Sequence, residues 1–484
     1  MRIFLPILVA LRLLISCEAA TKAIIIDPEY PQSFRHANGE RFFPLGDTAY
    51  FLIAQPTNVI AHYVDVRRKH HFNFVRVLAM ADGFWPFGGS PTNPDYTTIN
   101  EAVMRKWDWV FDYAAARGMY FEVILWGYGV GGGEGLWRRE ADQNLWIETV
   151  VNRFKSRDNL FMFTIANEFE RYPDGAYQYD PADVDWARKV AARIRQLDKV
   201  HPIGCHPSVW ITDQDAPGKA PRPWGRYNDF TQRLPQVVWP LWDSSEININ
   251  VTQNNEGVQR RTWGDINAGE HGLTYYPTEW RDSQYPVKWT SSGWSFEAPG
   301  LQHSMAEDWA RGKPVLNLEF GYQFEPGYAQ GASYKTRQLH DPSTVRKKAW
   351  KIATSGAYFA AGFESAAVRN LTTADVDNFR PEQLETLYNF FTTKTEYWKL
   401  TPRHELVASQ NALLASEGVE YIAYFPRGGT NEIKLAAGIY QLQWLHPETG
   451  RYVEGNSYRA TNGPAAFAPP DPSTDDWVLH LRKN

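Results

Sequence analysis

The chain has 484 residues, 43% of them hydrophobic and 22% charged, with a formal net charge of -5. That length exceeds one typical domain and supplies ample chain for a core, and the balance of charge excludes a strongly basic, nucleic-acid-binding surface. Aromatic residues reach 15%, with 20 Trp, more than core filling alone explains; indole faces stack on sugar rings, although burial is the commoner fate of any single Trp.

At the N-terminus, Arg2 precedes the apolar runs Ile3 to Leu11 and Leu13 to Ile15, and small residues follow at Ala19 and Ala20. This is the pattern of an export signal over residues 1–20, interrupted by Arg12. Leu14-Ile15-Ser16-Cys17 resembles a lipobox, so a signal ending before a lipidated Cys17 competes with cleavage after Ala19 or Ala20. The protein is accordingly expected to be periplasmic, extracellular, or a cell-surface lipoprotein whose only membrane attachment is the lipid on Cys17. Either cleavage leaves Cys205 alone, which excludes a disulfide framework and zinc-type Cys spacing.

From about residue 40 to 400, apolar strand-like runs alternate with helical periods, as in a parallel βα architecture. The expected strands are Phe42 to Leu45, Phe72 to Ala79, Tyr120 to Trp126, Leu160 to Ala166, Pro202 to Cys205, Ile247 to Val251, Pro314 to Leu318 and Gly356 to Phe363. Between them, Val103, Trp107, Val110, Phe111 and Ala114 keep a 3.6-residue period that ends at Gly118, and another helix starts with Asp180 as N-cap and Pro181 in its first turn. Eight such units close most naturally as a (β/α)8 barrel over residues 25–401, an α/β fold. An open doubly wound sheet is the alternative, but no Gly-rich phosphate turn follows the first strand. Trp- and Pro-rich stretches at 207–245 and 254–300 fall in βα loops, on the face where barrels bind substrate. From residue 402 to 484, short alternating runs separated by turns imply a small all-β sandwich that packs directly on the barrel.

Two strands end in carboxylates. The run from Leu160 to Ala166 is closed by Asn167 and Glu168, and the run from Pro314 to Leu318 by Glu319. A Glu at a barrel mouth between Ile165 and Phe169 is expected to be partly desolvated, which favours a general acid, while Asn167 can bond a sugar hydroxyl. Two such carboxylates are what glycosidic cleavage needs, one to protonate the leaving oxygen and one to attack the anomeric carbon or activate water. Asp47, Arg76, His206 and Gln253 stand at corresponding positions of other strands, with Trp126 ending the third strand and Tyr322 following Glu319. Arg76 is expected to keep the nucleophile ionised, and the others to bind substrate. The doublet His70-His71 reads as solvated, and the Gly-rich run from Gly127 to Gly135 as a mobile loop, not a phosphate cradle. No metal or other cofactor is expected, and no esterase elbow, zinc-protease helix or P-loop occurs.

These residues sit in stretches that resemble the apiosidase-like glycoside hydrolase family: Phe43-Pro-Leu-Gly-Asp47-Thr-Ala-Tyr50, Phe72-Asn-Phe-Val-Arg76-Val, Arg153-Phe with Asp158-Asn-Leu, Ala166-Asn-Glu168, His206-Pro207 and Lys313-Pro-Val-Leu through Glu319. The resemblance implies a barrel whose acid/base and nucleophile follow the fourth and seventh strands, here Glu168 and Glu319, acting on an oligo- or polysaccharide. The segments Tyr424-Phe-Pro-Arg-Gly-Gly429 and Trp444-Leu-His-Pro-Glu-Thr-Gly450 are similar to the β-domain that accompanies this family under a collagen-binding label, which is no reason to expect collagen binding. Where many members carry Gly-Gly-Asp after the fourth strand, this chain carries Ala166-Asn167-Glu168. The acid then stands about one methylene further out, and the resemblance bears on the reaction class more than on apiose as the sugar.

Overall fold

Apolar runs too short for helices and bounded by turn residues form the barrel strands: β1 (Leu45–Thr48), β2 (Phe74–Leu78), β3 (Tyr120–Gly127), β4 (Leu160–Asn167), β5 (Ile203–His206), β6 (Asn250–Thr252), β7 (Val315–Asn317) and β8 (Tyr358–Gly362). In this computed structural model the described residues are 22–80, 83–127, 136, 140–169, 181–207, 210–211, 239–253, 274–275, 288–290, 293–295, 301–320, 322–323, 339–340, 342–362, 371–377, 380–408, 410–471 and 476–484. The expected export signal, the Gly-rich run after Gly127 and most of the two Trp-rich loops lie outside them.

All eight strands are parallel, in the order β5-β4-β3-β2-β1-β8-β7-β6. The two ends of that order meet, because the Ile203 N–H donates to Asn248 Oδ1 (2.8 Å) and the Asn248 N–H donates to the Ile203 carbonyl (3.1 Å). Gly204 allows the approach: a Cβ there would lie 2.7 Å from Val251 Cγ2. The sheet is a nearly closed (β/α)8 barrel.

Helices α1 (Thr57–Lys69), α2 (Glu101–Ala115), α3 (Glu140–Phe154), α4 (Pro181–Leu197), α5 (Leu301–Trp309), α6 (Pro342–Ala353) and α7 (Glu385–Lys394) accompany the strands. The Asn100 carboxamide caps α2 by accepting from the N–H groups of Ala102 (3.2 Å) and Val103 (3.4 Å), and Gly118 closes it at a φ of 69°. α4 begins at Pro181, while Asp180 lies outside the described residues. His70 and His71 are half-buried: His70 Nδ1 contacts Glu385 and the His71 ring stacks on Tyr388 at 5.2 Å, docking the end of α1 on α7.

β1 begins three residues later than its apolar run suggests. Phe42 instead ends the short strand Arg41–Phe42 of an antiparallel sheet with Phe34–His36 and Ile24–Ile26. That sheet closes the N-terminal end of the barrel, where Phe34 and Phe42 meet Phe161 at 5.1 and 5.6 Å and Phe74 meets it at 5.0 Å. The polar Gly46-Asp47-Thr48 belongs to β1 because each residue is buried with a specific neighbour. At Gly46 a Cβ would sit 2.1 Å from Cζ of the Phe74 ring. Gly46→Ala is therefore expected to lower stability by about 1–3 kcal/mol; an unchanged urea midpoint would contradict this packing.

The C-terminal region is all β. Strands β9 (Ala412–Ser416), β10 (Glu420–Phe425), β12 (Gly438–Leu445) and β14 (Trp477–Lys483) form the body of an antiparallel sheet, faced by the ribbon β11 (Asn431–Leu435) with β13 (Gly463–Phe467). Alternation divides the residues between two cores. Leu413, Ala415, Tyr421, Ala423, Phe425, Leu479 and Leu481 meet Ile433, Leu435, Ala465 and Phe467 of the ribbon, while Leu414, Ile422, Tyr424 and Val478 join the core of the barrel. At that junction Tyr424 stacks on Trp350 of α6 at 5.9 Å, and the buried Arg346 of α6 donates to both oxygens of Asp476 (3.0 and 3.4 Å).

His404 pins the same junction. Its Nδ1 accepts from the Leu413 N–H (3.0 Å), while Nε2 reaches the Gln302 carbonyl (3.0 Å) and Ser355 Oγ (3.0 Å). Burial, reinforced by His303 with its ring 5.3 Å away, pushes His404 down to about 3. The unfolded chain then binds a proton that the folded one excludes, so stability falls as pH drops from about 6.5 towards 3, by on the order of 4 kcal/mol in total. Urea unfolding of the wild type and His404→Gln across that window should show a shallower pH slope in the variant; equal slopes would contradict this role.

Candidate active site

The strand register places Thr48, Arg76 and Glu122 side by side across β1, β2 and β3. Arg76 and Glu122 are fully buried inside the barrel, with Arg76 Nε 3.2 Å from Glu122 Oε2. Thr164 of β4 donates its hydroxyl to Glu122 Oε1 (2.6 Å). Desolvation pushes the Glu122 carboxyl above its ordinary range, and the Arg76 guanidinium and Thr164 hydroxyl pull it back.

Arg76 extends from this pair towards the strand ends. Its Nη2 donates to Asn167 Oδ1 (3.1 Å) at the end of β4. Its Nη1 donates to the Leu318 carbonyl (2.6 Å), beside Glu319, and to Tyr50 Oη (3.2 Å). The Tyr50 hydroxyl lies 3.0 Å from Glu319 Oε2 and 3.1 Å from Asn167 Oδ1. One guanidinium and one phenol thus join the fourth and seventh strand ends.

Glu168 stands beside them with a φ of 54°, a left-handed conformation that costs a side-chain-bearing residue roughly 1–2 kcal/mol. Its N–H donates to His206 Nδ1 (3.4 Å), which leaves the ring proton on Nε2, and that atom lies 3.9 Å from Glu319 Oε2. Gln253 Nε2 donates to Glu168 Oε1 (3.3 Å). Glu168 and Glu319 are 6% and 7% exposed, so each is held in protein with a small accessible edge.

Of the residues singled out in the sequence, Arg76, Asn167, Glu168, His206, Gln253 and Glu319 come together. Asp47 does not. Its carboxylate bonds Arg67 (2.5 Å), Tyr63 and the Thr48 N–H (2.9 Å), all within a fully buried cluster that ties β1 to α1. Trp126 is 1% exposed and meets Trp186 of α4 edge-to-face at 5.4 Å, so its ring belongs to the barrel wall. Of Tyr322 only the backbone is described, on the short strand Tyr322–Gln323. Tyr50 and Glu122 had no role in the sequence reading. The signal for Glu122 was a lone carboxylate in an otherwise apolar strand, which cannot be buried without a partner.

A cleft of about 840 Å³ opens at the opposite, N-terminal end of the barrel, lined in part by Lys22, Arg68, Arg117 and Trp398. Several of its cations are engaged structurally: Lys22 with Glu40, Arg117 with Asp65, and Arg68 with the Arg117 and Phe72 carbonyls. Glu168 and Glu319 lie at the other rim.

The fold is a (β/α)8 barrel with Glu168 and Glu319 just after its fourth and seventh strands, and the family match makes it a glycoside hydrolase. The chain belongs to the apiosidase-like family, whose catalytic-domain model matches residues 30–399. Among solved structures, one described as a glycoside hydrolase is similar with a TM-score of 0.68 and 15% identity, over 96% of this chain and 97% of that one. A glycoside hydrolase family 5 protein from Bacteroides vulgatus aligns with a TM-score of 0.67 and 15% identity, over 95% and 93% of the two chains. At that identity the likeness concerns the fold. No curated protein matches the chain.

Proposed function

We propose that the protein is a retaining glycoside hydrolase acting on a plant or algal cell-wall polysaccharide or its side chains, with Glu168 as acid/base and Glu319 as nucleophile. The observation that carries the reading is the arrangement around Glu319. The Tyr50 hydroxyl 3.0 Å from Oε2, with Arg76 behind it, favours the carboxylate form that attack on an anomeric carbon requires. Glu168 follows the end of β4, where Gln253 orients its carboxyl and His206 holds its backbone. In the first step Glu168 protonates the glycosidic oxygen as Glu319 forms a glycosyl ester; in the second Glu168 takes a proton from water, which releases the sugar and restores Glu319. Asn167, whose Oδ1 accepts from Arg76, bonds a sugar hydroxyl next to the scissile bond in this reading. The test is incubation with plant and algal glycans, with mass spectrometry of the products and NMR of the first-formed anomer. Release of sugar with the anomeric configuration kept is expected; inversion would reassign Glu319 from nucleophile to base.

The apolar N-terminal run with Cys17 also supports export, as a periplasmic, extracellular or lipid-anchored protein. Cell fractionation of the wild type and Cys17→Ala decides between lipid anchoring and simple cleavage. Anchoring predicts that only the variant leaves the membrane fraction.

A further inference from the structure

Glu122 is 0% exposed, lies in the barrel interior below the strand ends, and touches neither Glu168 nor Glu319 in any described hydrogen bond. A buried carboxylate in such a place costs more than a well-packed apolar residue unless its charge is used. Its partner Arg76 is the group that contacts both strand ends, and the division of its atoms is specific. Nε faces Glu122 at 3.2 Å, Nη2 bonds Asn167, and Nη1 bonds the Leu318 carbonyl and Tyr50. Nε lies against Glu122 from below as an ion pair and Thr164 holds the other Glu122 oxygen at 2.6 Å, which together favour one setting of the guanidinium plane. In that setting its terminal nitrogens point to the two strand ends.

We propose that Glu122 is a positioning residue that sets both the direction and the effective charge of Arg76. This rests on the assignment of Glu168 and Glu319 to catalysis. Without Glu122, Arg76 would place an uncompensated positive charge in the barrel beside Glu319, stabilising its anion and weakening it as a nucleophile. With Glu122 present, part of the Arg76 charge is offset, so that Arg76 and Tyr50 keep Glu319 ionised without over-stabilising its anion. Glu122 thus tunes the nucleophile through Arg76 without touching the substrate.

The experiment is a pH titration of Glu319, read by carbon-detected NMR of protein labelled at the glutamate carboxyl carbon, with Glu319→Gln to assign the signal. It is performed on the wild type, Glu122→Gln and Glu122→Asp, alongside kcat and KM on whichever glycan the wild type cleaves. In Glu122→Gln the Glu319 titration should move down by about one pH unit, the acid limb of the rate profile should follow it, and kcat should fall about tenfold or more with KM within about twofold. Glu122→Asp, which keeps the charge, should restore the wild-type titration. A merely structural carboxylate would leave the titration unmoved in every folded variant, and that result overturns the proposal. Should Glu122→Gln fail to fold, Thr164→Val takes its place: unchanged kcat overturns the positioning role, and a kcat loss with KM held supports it. A wild type that cleaves nothing would defeat the assignment of Glu168 and Glu319, while the titration would still decide whether Glu122 controls the charge at Glu319.

Discussion

Glu319→Gly is expected to lower turnover by on the order of 10³-fold or more and to recover part of it when azide is added. Removal of the carboxylate leaves a space on the face of the sugar opposite the leaving group, which azide fills as an external nucleophile. The product should then be a glycosyl azide of inverted configuration. Glu168→Gln should behave differently. Substrates with poor leaving groups should lose most activity, because they depend on protonation, and aryl glycosides with acidic phenols should lose least. Azide added to Glu168→Ala should give a glycosyl azide of retained configuration, since Glu319 still forms the first ester. All three variants should stay folded: each carboxylate stands at a strand end with a small accessible edge, outside the apolar barrel core. Near wild-type activity in Glu319→Gly and Glu168→Gln would refute the assignment.

Asp47→Ala is expected to be the most destabilising of the single changes considered, at about 3–5 kcal/mol, because it strands the Arg67 charge in a site where both residues are 0% exposed. Desolvation pushes the Asp47 carboxyl above its ordinary range, and Arg67 is the largest opposing influence. The loss should appear as a lower unfolding midpoint, with KM of the remaining folded enzyme within about twofold of wild type. A raised KM with stability untouched would instead give Asp47 a place in substrate binding. The distinction matters because Asp47 and Glu319 are equally conspicuous as carboxylates at strand ends. In the fold they face opposite ways: Thr48 Oγ1 reaches the Leu318 carbonyl across the barrel at 3.4 Å, while Asp47, its neighbour in β1, points to α1.

That example shows what a linear reading can and cannot carry. The eight strands were legible because burial on both faces makes a parallel strand a nearly continuous apolar run. The first was displaced because its buried polar residues look like a loop until their partners are known. Positions at strand ends were legible too, so Glu168 and Glu319 could be named. Direction was not, since a shift of one residue turns a side chain from the barrel interior to the surrounding helices. Trp126 was misplaced for a related reason: a ring at a strand end suits sugar stacking, but helix α4 supplies Trp186 to cover it. Some family stretches prove architectural. Lys313 donates to the carbonyls of Ser244 (2.9 Å) and Ile247 (2.7 Å), and Asn159 to those of Phe111 (2.9 Å) and Met119 (3.3 Å). Conspicuous tryptophans followed the same course, since Trp107, Trp126, Trp146, Trp242, Trp350 and Trp477 are fully buried. Tyr50 and Glu122 drew no role because their importance lies in hydrogen bonds between strands far apart in sequence, although a lone carboxylate in an apolar strand was a signal for Glu122.

The most direct test of the account is a paired digestion of plant and algal glycans by the wild type and by the Glu168→Gln, Glu319→Gln double variant, with released sugars identified by mass spectrometry. Sugar released by the wild type alone, with both proteins equally folded and both retaining the glycan in a pull-down, is the predicted result. Equal release by the two proteins, or binding without release by the wild type, would contradict it.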